Sequence, residues 1–218
     1  MDAISWQLLI EGAWTTLWIS AIAIAFGVVA GLLIALVRML RLPVIDQLLV
    51  VYISLARATP LVTLVLFLFL SLPTMGINLD KNVAAIVALT LNTCAYTTEI
   101  FAGAIRSVPH GEIEAARAYG FSTFKMYRCI ILPSALRIAL PAYSNEVILM
   151  LHSTALAFTA TVPDLLKIAR DINAATYQPF TAFGIAAVLY LIISYVLISL
   201  FRRAEKRWLQ HVKPSSTH

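Results

Sequence analysis

The sequence predicts an all-α membrane protein of five transmembrane helices, with a helical loop between the third and the fourth. Three observations carry this expectation. Of the 218 residues, 61% are hydrophobic and only 12% charged, where soluble globular domains run at roughly 25% charged. The mean hydropathy is +0.87, which excludes the usual soluble enzyme classes together with disorder and fibrous repeats. Apolar runs of about 20 residues, the length that crosses a hydrocarbon core of about 30 Å, recur along the chain. One small polytopic domain over residues 1–218 is the expectation.

Trp14 to Val37 contains no charged residue and is long enough, at about 1.5 Å per residue, to cross with some tilt. The second span, Val44 to Leu72, is broken by Arg57 and Pro60. Its first half is therefore expected near the interface, with the part from Leu61 onward crossing. Val83 to Ile105 is a third span interrupted only by Glu99. Ser134 to Ala160 is a fourth, carrying Asn145 and Glu146, and Phe180 to Leu200 is an uncharged fifth. Five crossings put the two termini on opposite sides. The chain opens with Asp2 and Glu11 rather than a basic region, and its first apolar run exceeds a signal-peptide core, so this run is expected to stay as a span.

The formal net charge of +5 reports orientation rather than a nucleic-acid partner. One set of alternate loops holds Arg38, Arg41, Arg106, Arg117, Lys125, Arg128, Arg137, Arg202, Arg203, Lys206, Arg207 and Lys213. The other set holds only Lys81, Lys167 and Arg170. The richer side is expected in the cytoplasm, which leaves the N-terminus outside and the C-terminus inside. Cys94 lies in an apolar run and Cys129 in a basic loop, with no CxxC spacing, so neither a disulfide nor a zinc site is expected.

Two connections are too long to be simple turns. Between Arg106 and Pro133, Pro109-His110-Gly111 is turn chemistry, helix formers run from Glu112 to Gly120, and a second short helix is expected over Ser122 to Ile131. The segment 106–133 thus reads as a cytoplasmic helical hairpin. On the other side Pro163 opens a stretch with Leu165, Ile168 or Ala169 and Ile172 on one face, an amphipathic helix at the outer surface.

No Walker A sequence, HExxH, GxSxG or metal-spaced cluster is present, and His110, His152, His211 and His218 are scattered. Nothing argues for bond-making chemistry. The candidates are the polar groups inside the membrane, where a central charge costs about 2.5–3.5 kcal/mol on insertion scales. On the third span Asn92, Tyr96, Glu99 and Gly103 fall on one helical face. On the fourth, Asn145 and His152 share one stripe, and Glu146 and Ser153 the next. These residues either line a polar pathway or hydrogen-bond neighbouring helices to specify packing. Gly27 and Gly31 in the first span form a GxxxG, best read as a close helix contact.

The loop carries the most specific pattern. Glu114-Ala115-Ala116, then Gly120, then Ile130, Leu132 and Pro133 resemble the EAA signature of ABC-importer permease subunits. Small alanines let a helix sit tightly in a groove, and glycine lets the chain turn sharply after it. Arg57-Ala58-Thr59-Pro60 resembles the R-G-T-P opening of span two in the polar amino-acid permeases, with Ala58 replacing glycine. Ala95-Tyr96, Glu99-Ile100, Gly103 and Ser107-Val108-Pro109 resemble the end of that family's third span. From about Ala88 onward the likeness is closest to the permeases for histidine, lysine, arginine and ornithine, including His152 where many relatives carry lysine. Before Ala88 it is to the family alone.

This resemblance implies the type I importer arrangement and one half of a pore in a bacterial inner membrane. It also implies a homologous sister permease, two ABC ATPase subunits that hold ATP and magnesium, and a periplasmic amino-acid-binding protein. The chain itself would be no enzyme and hold no cofactor. ATPase closure would be transmitted through Glu114 to Pro133 into spans three and four, with Glu99 and Glu146 as candidate partners for a cationic ligand and Asn92, Asn145, His152 and Ser153 as polar neighbours. Two rivals are an ATP-independent transporter or channel subunit with a proton-carrying Glu99 or Glu146, and a structural assembly factor. A channel has no need of an EAA-type docking helix, and an assembly factor would show polar residues on only one helix face.

Overall fold

The protein is described by a computed structural model covering residues 3–40 and 42–208. Arg41, Lys213, His211 and His218 lie outside the described residues. Nine α-helices are found among those described: α1 (Ala3–Met39), α2 (Pro43–Ala58), α3 (Leu61–Leu66), α4 (Lys81–Arg106), α5 (His110–Ala118), α6 (Thr123–Met126), α7 (Leu132–Ser153), α8 (Leu165–Thr176) and α9 (Pro179–Trp208). Three of them, α1, α4 and α9, are individually long and apolar enough to cross a membrane. A fourth and fifth crossing arise if each of two bent pairs counts as one span.

Gly27 and Gly31 set the central contact, between α1 and α4. A Cβ on Gly31 would lie 2.9 Å from the Cys94 carbonyl oxygen and 2.8 Å from Thr97 Cβ, and one on Gly27 would overlap the Thr93 methyl. The missing side chains therefore permit the backbones to approach. The Thr98 hydroxyl then reaches the Gly31 carbonyl at 3.3 Å and that of Cys94 at 2.8 Å. In lipid, where apolar contact gives little net drive between helices, such packing and hydrogen bonding hold the bundle together. Gly27 faces Thr93 and Gly31 faces Thr97, so α1 and α4 run parallel. Thr93 meets Glu146, while Phe101 stacks on Tyr143, so α7 runs antiparallel to α4.

Prolines shape the two bent spans. Thr59 is extended (φ −80°, ψ 127°), as the residue before a proline prefers, and the chain turns by 102° between α2 and the helix beginning at Leu61. That second piece continues from α3 through a π turn at Phe67–Ser71 and a 3₁₀ turn at Leu72–Met75. A second π turn, Tyr127–Ile131, joins α6 to α7. Each π turn ends two residues before a proline, Pro73 or Pro133. The wider turn relieves the clash of a proline ring with the carbonyl four residues earlier.

The loop between α4 and α7 differs from the expected two-helix hairpin. His110 and Gly111 are already helical, so α5 starts before Glu112. The second short helix is not separate: Ser122 caps it, its hydroxyl accepting from Lys125 N at 3.4 Å, and from Thr123 the helix runs unbroken into α7. The π turn absorbs Pro133, which would otherwise have ended that helix.

On the opposite side α8 buries Leu165, Ala169 and Ile172 against Leu9 of α1 and Ala182 and Ala186 of α9. The expected apolar face is therefore packed into the bundle rather than only laid upon a surface. Asp164 is its N-cap, fully buried, accepting from Leu166 N at 3.2 Å and Lys167 N at 3.1 Å. Burial pushes its carboxyl up to about 6, against the pull of those N–H donors. A carboxyl whose folded pKa is raised holds its proton more tightly in the fold. Stability is therefore expected to fall as pH rises from about 4 to about 6, and to be flat above that. Asn caps as well as Asp without a charge, so in Asp164→Asn the thermal midpoint in detergent should no longer fall across that interval. A slope identical to that of the unsubstituted protein would assign the dependence to another group. Asp164→Ala should likewise show no fall across that interval and should be about 1 kcal/mol less stable than Asp164→Asn at every pH, the cap being lost as well.

Candidate functional site

The bend at Thr59–Pro60 leaves a space beside α4 and α7 that neither helix fills. It is a cavity of about 400 Å³ lined by Arg57, Thr59, Pro60, Asn92, Tyr96, Glu146 and Ser153, with Leu149, Met150 and Leu156 as apolar wall. Helical spacing places Asn92 and Tyr96 on one face of α4, and Glu146, Leu149, Met150 and Ser153 on the facing side of α7. Asn92 Nδ2 donates to the Ala56 carbonyl at 3.2 Å, tying α4 to the end of α2. Glu146 is 7% exposed, and its Oε1 accepts from the Thr93 hydroxyl at 3.0 Å. No cationic nitrogen within ion-pair distance of Glu146 is found among the described residues.

Arg57 is the other charge of this cavity. Its guanidinium carbon lies 5.0 Å from the centre of the Tyr96 ring, a cation–π stack. Beyond that stack is a second cavity of about 520 Å³, lined by Arg38, Val50, Ile53, Ser54, Arg57, Ala58, Tyr96 and Glu99. Arg57, Ala58 and Tyr96 thus form the wall common to both. In the second cavity Glu99 accepts from Arg38 Nη1, and Arg38 Nε also reaches Asp46 at 3.0 Å. One guanidinium therefore closes α1 on both α2 and α4.

The residues named from the sequence are distributed unequally. Asn92, Tyr96, Glu146 and Ser153 come together in the first cavity. Glu99 lies across the Arg57–Tyr96 stack and is ion-paired. Asn145 is exposed and lines neither cavity. His152 points the other way, its Nε2 2.8 Å from Ser194 Oγ and its ring against Tyr190 of α9. Two residues that sequence reasoning did not place in the site are Arg57, read as an interruption of span two and as the start of its Arg-Ala-Thr-Pro motif, and Thr93. The signal for Arg57 was a charge three residues before a proline inside an apolar run, since a helix break is where a buried cation can find room.

The loop residues are similarly divided. Glu114 and Ala115 are exposed on α5, but Ala116 is buried against the bundle's own Met126, Ile131 and Ala135. Its small size serves this chain's core, contrary to the expectation that both alanines face a groove. Ile130 and Leu132 are half-buried and Pro133 is exposed. Gly120 has φ +71°. Phe121 N donates to the Ala116 carbonyl at 3.1 Å and Gly120 N to that of Arg117 at 2.9 Å, the paired bonds that close a helix at a left-handed glycine.

Residues 27–210 match the family described as binding-protein-dependent transport system inner membrane component. The chain is 68% identical over 217 residues to the histidine/lysine/arginine/ornithine transport system permease protein HisM of Escherichia coli (strain K12), covering 95% of this chain and 91% of that one. It is 64% identical over 211 residues to the HisM protein of Salmonella typhimurium, covering 92% and 90%. Both alignments take in most of the segment before Ala88 as well as the part after it. In structure the chain is similar to an amino acid ABC transporter crystallised with histidines, at a TM-score of 0.88 and 33% identity over 95% of this chain and 99% of that one. The MetNI methionine transporter shares the fold, at a TM-score of 0.80 and 22% identity over 95% and 99% of the two chains. With the family's pattern running from Gly27 in α1 to beyond the end of α9, and relatives covering more than nine-tenths of its length, the chain belongs to the binding-protein-dependent transport system inner membrane components, as a permease subunit of an ABC importer.

Proposed function

We propose that this permease carries basic amino acids, histidine, lysine, arginine and ornithine, and that the cavity between the Thr59–Pro60 bend, α4 and α7 receives them. The observation that carries this reading is the presence, in one cavity, of a guanidinium (Arg57) and a buried carboxylate with no ion-pair partner among the described residues (Glu146). An amino acid with a basic side chain has the complementary charges: a carboxylate for Arg57 and a cation for Glu146. Asn92 and Ser153 supply neutral hydrogen bonds, while Leu149, Met150 and Leu156 cover the aliphatic part of the ligand. The Arg57–Tyr96 stack is the floor, and the cavity of Arg38 and Glu99 is the exit beyond it.

The chain works as half of a pore of five-span subunits, beside a homologous sister permease. Two ATPase subunits bind ATP and magnesium, and a periplasmic binding protein delivers the ligand. The N-terminus is periplasmic and the C-terminus cytoplasmic, by the excess of Lys and Arg at one end. Glu114 and Ala115 on α5, flanked by the exposed rings of Tyr119 and Phe124, form the surface on which an ATPase docks. Movement of α5 passes through Ala116 to Ile131 and Ala135 at the start of α7, and from there to Glu146.

Tagged chain solubilised from cells should bring down both an ATPase and a second permease. A reporter after His218 should read as cytoplasmic, and one inserted near Asn173 as external. Recovery of the chain alone, or a cytoplasmic reading at Asn173, would overturn the assembly or the topology respectively.

A further inference from the structure

At the basic end of the bundle, where α7 begins and α9 ends, lies a cavity of about 520 Å³ lined by Pro133, Leu136, Arg137, Arg207 and Trp208. It is remote from the translocation cavities and shares no lining residue with them. Arg137 and Arg207 are exposed and belong to no ion pair among the described residues. The nearest acid in sequence, Glu205, is the only carboxylate of α9, and it accepts from the Ser144 hydroxyl at 3.2 Å. Two arginines therefore line one cavity with no carboxylate paired to either among the described residues, beside an indole that is 55% exposed and a leucine that is 38% exposed.

We propose that this cavity binds the phosphodiester headgroup of an anionic phospholipid. Four features of the site fit that one ligand. Arginine forks match phosphate oxygens in a bidentate way. Basic pockets between transmembrane helices at the level of the headgroups take up anionic lipid. Tryptophan is at home at that depth, its ring apolar and its N–H wet. Leu136 and Pro133 continue the lining in apolar form, which a soluble anion does not need and an acyl chain does. The bound lipid would tie the end of α9 to the start of α7, immediately after the segment that carries the EAA pattern. This inference needs the membrane-spanning fold and is independent of the proposed substrate.

The experiment uses the full-length protein, purified with its accompanying subunits, in bilayer discs of phosphatidylethanolamine containing graded phosphatidylglycerol. Lipid retained after transfer to detergent is read by native mass spectrometry. Phosphatidylglycerol should be retained over phosphatidylethanolamine. The preference should fall roughly fivefold for Arg137→Gln or Arg207→Gln and about thirtyfold for the double variant. Arg137→Lys with Arg207→Lys, which keeps both charges, should retain most of it and shows that the bundle still folds. Equal retention by the double glutamine variant would overturn the proposal. So would displacement of the lipid by millimolar inorganic phosphate, which would make this a free-anion site. Loss of an ATPase subunit from the double variant with lipid retention unchanged would assign the arginines to a protein contact instead.

Discussion

Replacing Glu146 by Gln is expected to reduce transport of arginine and lysine by about ten- to a hundredfold while reducing transport of neutral histidine by only a few-fold. Hydrogen bonds to charged groups contribute about 1.5–3 kcal/mol, and each 1.4 kcal/mol is a factor of ten in affinity. Gln preserves the volume and can still accept from Thr93, so the packing of α4 on α7 survives and only the charge is lost. Glu99→Gln should behave differently. It removes the ion pair by which Arg38 holds α1 to α4, leaving only the one to Asp46 of α2, so it should lower assembled protein and depress all substrates in proportion. The measurement is uptake of each amino acid at pH 7.5, normalised to assembled complex. A uniform loss in Glu146→Gln would remove this carboxylate from ligand recognition, leaving it a packing group.

Gly120→Val should insert and pack its spans normally yet lose at least tenfold in ATP-driven uptake. At φ +71° an L residue crowds its own backbone, at about 1–2 kcal/mol for an ordinary side chain and more for a β-branched one. Nothing lies within 4 Å of the position a Cβ would occupy, so the effect is conformational rather than a collision. The substitution unwinds the closure at Ala116 and Arg117 and re-aims α5, while α1, α4 and α7 are untouched. Asn visits the left-handed region, so Gly120→Asn should keep most of the uptake. Normal uptake by the valine variant, with the protein present at the usual level, would remove the loop from coupling.

Much of the architecture was legible because lipid makes helix formation nearly compulsory: a backbone polar group in hydrocarbon must be satisfied within its own segment. Apolar length alone therefore located α1, α4 and α9. The GxxxG of α1 named its own contact, since glycine at that spacing is informative only where another backbone approaches. The close of α5 was legible at Gly120, because a left-handed residue after a helix favours glycine. The apolar face of α8 was legible from its period. The continuity of the helix from Thr123 into α7 was hidden, because a proline reads as a break and the sequence carries no sign of the π turn that accommodates it.

The candidate site was legible only in part, for a geometric reason. Periodicity sorts residues onto faces of their own helix but does not say which helix each face meets. Asn92, Tyr96 and Glu99 share a stripe on α4. Only the 102° bend, by swinging Arg57 over the Tyr96 ring, divides that stripe between the cavity that holds Glu146 and an ion-paired cavity beyond it. His152 and Glu146 lie on adjacent stripes of α7, and the packing of α9 against one of them decides that His152 meets Ser194 while Glu146 faces the cavity. The sequence by itself determined the membrane class, the family and the chemistry available, because composition, length and motif spacing are properties of single segments. The tertiary structure alone decided which charges are neutralised and which remain for a ligand, because an ion pair depends on where two distant segments cross.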